Sequence, residues 1–161
     1  MTNDPRKYAT IAVWSIVWIV FIIASFCPLV LPFLFEIKMG AWIWVIGNSL
    51  LGLMIIALAL TNMIDLESAT RNLLTGDAIA ALVIGFLSFG TLPGQAKFIG
   101  LLATGLFLFS IIIGLLTLAS KDGFAGTRIQ RGFGILYALY FIYGLTTVLW
   151  ALIILILTNT G

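Results

Sequence analysis

An all-α integral membrane protein with five transmembrane helices is what the sequence predicts, and three observations carry that prediction. Hydrophobic residues make up 62% of the 161-residue chain and charged residues only 9%, against roughly 25% charged in a soluble globular domain. A soluble fold of this size leaves much of its surface exposed, so this apolar surface needs a bilayer as its solvent. The ionisable residues also divide the chain into five charge-free stretches, 8–35, 39–64, 78–96, 98–120 and 132–161. Four of them exceed the roughly 20 residues a helix needs to cross the hydrocarbon core. Finally, five crossings put Arg6, Lys7, Arg71, Lys121, Arg128 and Arg131 on one side, and only Lys38 and Lys97 on the other.

Short loops rich in Lys and Arg stay cytoplasmic. The N-terminus is therefore expected inside and the C-terminus outside, with Arg71, Lys121, Arg128 and Arg131 as cytoplasmic anchors. The sequence reads as one membrane domain with spans at 8–35, 41–64, 77–92, 98–119 and 133–157. A bacterial or archaeal cytoplasmic membrane is the expected location, with an organelle membrane as the alternative.

The first span follows Asp4 and Pro5, a suitable N-cap and first helical residue. Its apolar run is far longer than the 7–15 residues of a signal-peptide core and carries no small-x-small cleavage site, so it reads as a retained span. "CPLVLP" (27–32) removes two backbone donors, and Pro28 and Pro32 should kink the helix or end it near Pro32. In the second span, Trp42 and Trp44 sit where an interfacial aromatic belt is expected. Asn48 and Ser49 are its most deeply placed polar pair.

The third span is the shortest. "GTLPG" (90–94) should break it, and Asp77 reads as its N-cap; a re-entrant helix is the rival reading, but it would carry the 121–131 cations to the outside. Small residues mark close helix contacts: Ala81 with Gly85, Gly100 with Thr104, and Ser110 with Gly114. The fifth span opens on "TRIQRGFG" (127–134), where Thr127 and Gln130 have capping-box spacing. Sliding the chain by 57 residues lays "DLESATR" (65–71) over "DGFAGTR" (122–128). Spans two–three and four–five would then be parallel helical hairpins, an arrangement that recurs in membrane proteins; shared capping and topology needs would produce the same match.

The chemistry missing from the chain narrows its function. With no histidine, imidazole ligation of haem and His-based acid–base catalysis are excluded. The single cysteine, Cys27, cannot build a zinc or iron–sulfur cage within the chain. No P-loop or GxGxxG element occurs, and a net charge of +2 without a Lys/Arg run does not suggest a nucleic-acid partner. The expectation is a non-enzymatic protein with no side-chain-ligated cofactor. A lipid or carotenoid wedged between helices remains compatible with it. The leading expectation is an accessory or scaffold subunit packed against other membrane subunits or itself. The alternative is a small oligomeric channel or transporter for a solute or ion, using Asn48, Ser49, Thr104 and the proline-broken backbone.

Overall fold

The computed structural model describes residues 5–34, 40–61, 65–119 and 127–159, apart from the side chains of residues 5–14, 18, 127, 128 and 159. Among the described residues there is no strand. Helix α1 (Pro5–Phe26) runs into a 3₁₀ turn (Cys27–Val30) and a single-turn helix α2 (Leu31–Leu34). Four long helices follow: α3 (Ala41–Leu60), α4 (Leu66–Gly90), α5 (Gly94–Ala119) and α6 (Thr127–Asn159). Five segments among the described residues are long and apolar enough to cross a membrane: Ser15–Leu34, Ala41–Leu60, Leu66–Gly90, Gly94–Ala119 and Ile129–Thr158.

The first span ends as its prolines dictate. Pro28 has no N–H to offer the carbonyl of Ala24, and an unmet carbonyl in a bilayer costs several kcal/mol. The Tyr140 hydroxyl of α6 donates to that carbonyl at 3.0 Å. The carbonyl of Pro28, which Pro32 would otherwise strand, accepts the Leu31 N–H. Tyr140 thus fastens α1 to α6 at the kink.

Gly40 precedes α3 in the left-handed region, at φ 75°, where a side chain would be strained. A Cβ there would also lie 2.9 Å from the Trp150 indole nitrogen. The loop can approach α6 this closely because position 40 is glycine.

The third span differs most from its sequence reading. Asp65, not Asp77, caps the helix, its carboxylate accepting the Ser68 N–H at 3.2 Å. The helix then runs 25 residues to Gly90, about 37 Å at 1.5 Å per residue, without the break a re-entrant segment requires. Asp65–Ser68 offered a competing start that the charge-free count passed over, because Glu67 and Arg71 interrupt it. Those two pair in the first turns at 3.2 Å on the outer surface of the helix. Asp77 becomes an interior residue. The break after α4 is where "GTLPG" puts it: α4 ends at Gly90 and α5 starts at Gly94.

The helices alternate in direction. Trp44 meets Trp150 while Gly52 meets Tyr143, so α3 runs antiparallel to α6. Phe107 lies against Gly144 and Tyr137 against Gly114, making α5 and α6 an antiparallel hairpin. Asp77 with Ser110 and Ser88 with Gly100 set α4 antiparallel to α5. Ala24 meets Tyr140 and Phe21 lies nearest Gly132, so α1 runs parallel to α6, and the start of α1 and the end of α6 lie at opposite ends of the bundle.

The core is the α5–α6 hairpin, with α4 laid along α5 and α1 and α3 along α6. Its centre holds Ile99, Phe107, Leu139 and Tyr143, all essentially inaccessible. The outer faces carry Leu, Ile, Phe and Val almost without interruption, as lipid-facing helices should.

Candidate functional site

Besides the Tyr140 bond to α1, two side-chain-to-side-chain contacts among the described residues join a flanking helix to the central hairpin. The first lies between α3 and α6. Asn48 is buried at 2% exposure; its amide nitrogen donates to the Trp44 carbonyl at 2.8 Å, and its oxygen accepts the Thr146 hydroxyl at 2.7 Å. Trp44 and Trp150 stack beside it with ring centres 5.7 Å apart. The Trp44 indole nitrogen, buried within that stack, has no hydrogen-bond partner.

The second contact lies between α4 and α5. Leu66, Thr70, Asp77, Ala81, Gly85 and Ser88 form the buried face of α4. From Asp77 onwards they recur at three- and four-residue intervals, the spacing that keeps side chains on one helix face. Small residues at 81, 85 and 88 let the helix axes approach: a Cβ on Gly100 would fall 2.1 Å from the Ser88 hydroxyl oxygen, and one on Gly85 would fall 3.2 Å from Thr104. That stripe also carries Asp77 into the same interface, fully buried. One carboxyl oxygen, Oδ2, is hydrogen-bonded to the Ser110 hydroxyl of α5. Oδ1 is buried with no partner, as is the hydroxyl of Tyr137 on α6. Tyr137 is wedged against Gly114.

Asp77 lies six residues beyond Arg71, and Tyr137 six beyond Arg131. At 1.5 Å per residue each is about 9 Å along its own helix from that arginine. Asp77 has about 20 Å of α4 still ahead of it.

The residues singled out from sequence scatter across the fold. Ala81, Gly85, Gly100, Ser110 and Gly114 are all buried along α5 or against it. Asn48, Ser49 and Thr104 do not converge: Ser49 bonds the Val45 carbonyl at 2.8 Å and Thr104 the Gly100 carbonyl at 2.9 Å, each within its own helix. Arg71 and Arg131 are exposed, whereas Lys121 and the Arg128 side chain lie outside the described residues. The N-cap role assigned to Asp77 is overturned, since α4 is already three turns long when it reaches that residue. The signal was present in the chain: Asp77 stands four residues before Ala81, in phase with the Ala81–Gly85 pair already marked for packing.

No known protein family, curated protein or solved structure matches this chain.

A lateral cavity of about 600 Å³ opens between the proline turn and α5, lined by Cys27, Pro28, Leu31, Phe98, Leu102, Phe109 and Tyr140 among others. Its walls are almost entirely hydrocarbon, and its one hydroxyl, on Tyr140, already holds the Ala24 carbonyl. It offers contact area to an apolar chain and no polar handle.

Proposed function

We propose that this is a non-enzymatic multi-pass membrane protein that binds and moves a small cation, the proton foremost, at Asp77. The observation that carries this reading is the fully buried carboxyl of Asp77 with one oxygen unpartnered. Ionisable groups inside membrane helices are expensive and mark ion pathways, proton relays or ligand sites. A purely structural contact would be expected to satisfy its polar atoms, as Asn48 does. A subunit that only packs against lipid and partners needs no ionisable group within a span, and Asp77 is one.

The charge bias of the loops supports an orientation with the N-terminus cytoplasmic and the C-terminus outside, which puts the Asp77 level in the cytoplasmic third of the membrane. A bacterial or archaeal cytoplasmic membrane is the proposed setting. The two-hairpin repeat is weaker, since α5 and α6 pack along their length while α4 lies on α5 and α3 on α6.

The second reading, an accessory subunit, is favoured by one observation. The best apolar windows of the first span, α3 and α4 are only 22% to 28% buried, against 44% for α5, leaving broad faces for lipid or for partner helices. One experiment separates the two readings. Purified protein reconstituted into vesicles with a pH-sensitive dye inside should equilibrate an imposed pH gradient faster than protein-free vesicles. No acceleration, together with stoichiometric recovery of other membrane subunits in mild detergent, would establish the accessory role instead.

A further inference from the structure

We infer that Asp77 is protonated in this conformation, and that its proton is exchanged through a three-residue switch formed with Ser110 and Tyr137. The inference rests on the Asp77 site named in the proposed function and identifies the proton, rather than a metal cation, as what that site holds.

The argument is a count of hydrogens. The Ser110 oxygen lies 2.8 Å from the Phe107 carbonyl oxygen and within hydrogen-bond reach of Asp77 Oδ2. Both neighbours are acceptors when the carboxyl is ionised, and a serine hydroxyl owns one hydrogen. Shared between two acceptors, as the Thr146 hydrogen is between neutral Asn48 and the Tyr143 carbonyl, that hydrogen would serve a buried carboxylate poorly, since Oδ2 has no other donor. A proton on Asp77 resolves the count: Oδ2–H donates to Ser110, and Ser110 donates to the Phe107 carbonyl. Every hydrogen then lies between a donor and an acceptor.

The remaining atoms describe the other state. Oδ1 of Asp77 accepts nothing, and the Tyr137 hydroxyl donates to nothing. A neutral carboxyl tolerates that slack far better than a carboxylate, which draws in every available donor. When the Oδ2 proton leaves, the Ser110 hydroxyl turns from the Phe107 carbonyl to Oδ2, and Tyr137 swings its O–H onto Oδ1. One proton departs, both hydroxyls keep theirs, and the carboxylate acquires two donors. Few polar or titratable groups lie near Asp77: α5 contributes the neutral Ser110, and on α6 the Tyr137 ring lies against Gly114, one turn along α5 from Ser110. On α4 itself, Arg71 is six residues away and pairs with Glu67.

The donor set also argues against a metal ion. Hard cations take six or more oxygen ligands. This pocket supplies one carboxyl group and two hydroxyls, and among the described residues no three His, Cys, Asp or Glu side chains come together.

The test is infrared spectroscopy of the protein in bilayers at neutral pH, with the aspartate carboxyl carbons isotopically labelled. The expected result is one protonated-carboxyl C=O band that carries the label shift, disappears in Asp77→Asn and moves in frequency in Ser110→Ala. Tyr137→Phe should leave the band in place at neutral pH and shift its disappearance to higher pH, because the carboxylate loses a donor. A spectrum showing only ionised aspartate at neutral pH would overturn the inference; it would mean that Ser110 shares one hydrogen between two acceptors. The same result follows if the band survives Asp77→Asn. An intact band without vesicle flux would defeat the transport reading alone, and flux without the band would defeat this inference alone.

Discussion

Asn48 and Asp77 occupy comparable places in the molecule. Each is a buried polar side chain on a flanking helix, and each reaches a hydroxyl on the central hairpin, Thr146 in one case and Ser110 in the other. Asn48 spends its amide hydrogen-bonding capacity within the protein, on the backbone of its own helix and on α6. Asp77 has an oxygen left over, and so does Tyr137 on α6. Burying a polar atom without a partner costs about 1–3 kcal/mol, so a fold that retains such atoms carries a penalty it could shed by one substitution. Both joints keep an unpartnered buried atom, the Trp44 indole nitrogen at one and Asp77 Oδ1 at the other, and the comparison teaches to look for function where that atom belongs to an ionisable group.

The largest structural effect should come from closing the approach that brings Asp77 into the interface. Gly100→Leu would drive a side chain into Ser88, which sits 2.1 Å from the nearest Cβ position, and α4 would have to move off α5. Overpacking of this kind costs about 1–3 kcal/mol. Thermal unfolding in detergent should show a clearly lowered midpoint, and an unchanged midpoint would mean that α4 does not pack here.

Tyr140→Phe comes next. It strips the Ala24 carbonyl of its donor beside Pro28 and leaves a buried acceptor unmet, at a cost of about 1–3 kcal/mol. The loss should be accompanied by faster thiol labelling at the neighbouring Cys27, which is already exposed. Equal labelling rates in the two proteins would count against Tyr140 as the fastening point.

The two polar joints should then respond oppositely to removal. Asn48→Leu should lose roughly 0.6 kcal/mol, the usual worth of one interhelical hydrogen bond in a membrane. Thr146 retains the Tyr143 carbonyl as an acceptor at 3.1 Å, which limits the damage. Asp77→Leu should cost nothing measurable or raise stability, because it removes a buried group that is incompletely paired, and Ser110 still donates to Phe107. If both substitutions destabilise alike, the distinction between the joints fails. The smallest effect belongs to Glu67→Gln. The Glu67–Arg71 pair is solvent-facing, with the Arg71 side chain 64% exposed, and such pairs contribute about 0.3–0.5 kcal/mol.

Much of the fold was legible in the sequence because a bilayer imposes blunt rules. Charge-free length, proline position and the "GTLPG" break depend on local chemistry, and the five helices follow them. Asp77 was misread for a physical reason: counting charge-free residues treats every ionisable group as a boundary, whereas an acid on a packed face can lie within a span. Its partners were harder still to see. Ser110 was marked only as a small residue, and Tyr137 as nothing at all, since neither periodicity nor composition tells which hydroxyl will face a carboxyl across two helix interfaces. The proline-freed Ala24 carbonyl, likewise, needed a donor that the sequence could not name.

The most direct test of the central claim compares the two joints in one assay. Wild-type protein, Asp77→Asn and Asn48→Leu would be reconstituted at equal amounts of folded protein, and proton flux measured under the same imposed pH gradient. Wild type and Asn48→Leu should carry similar flux, while Asp77→Asn, equally well folded, should fall to the level of empty vesicles. Flux that survives in Asp77→Asn but vanishes in Asn48→Leu would contradict the account.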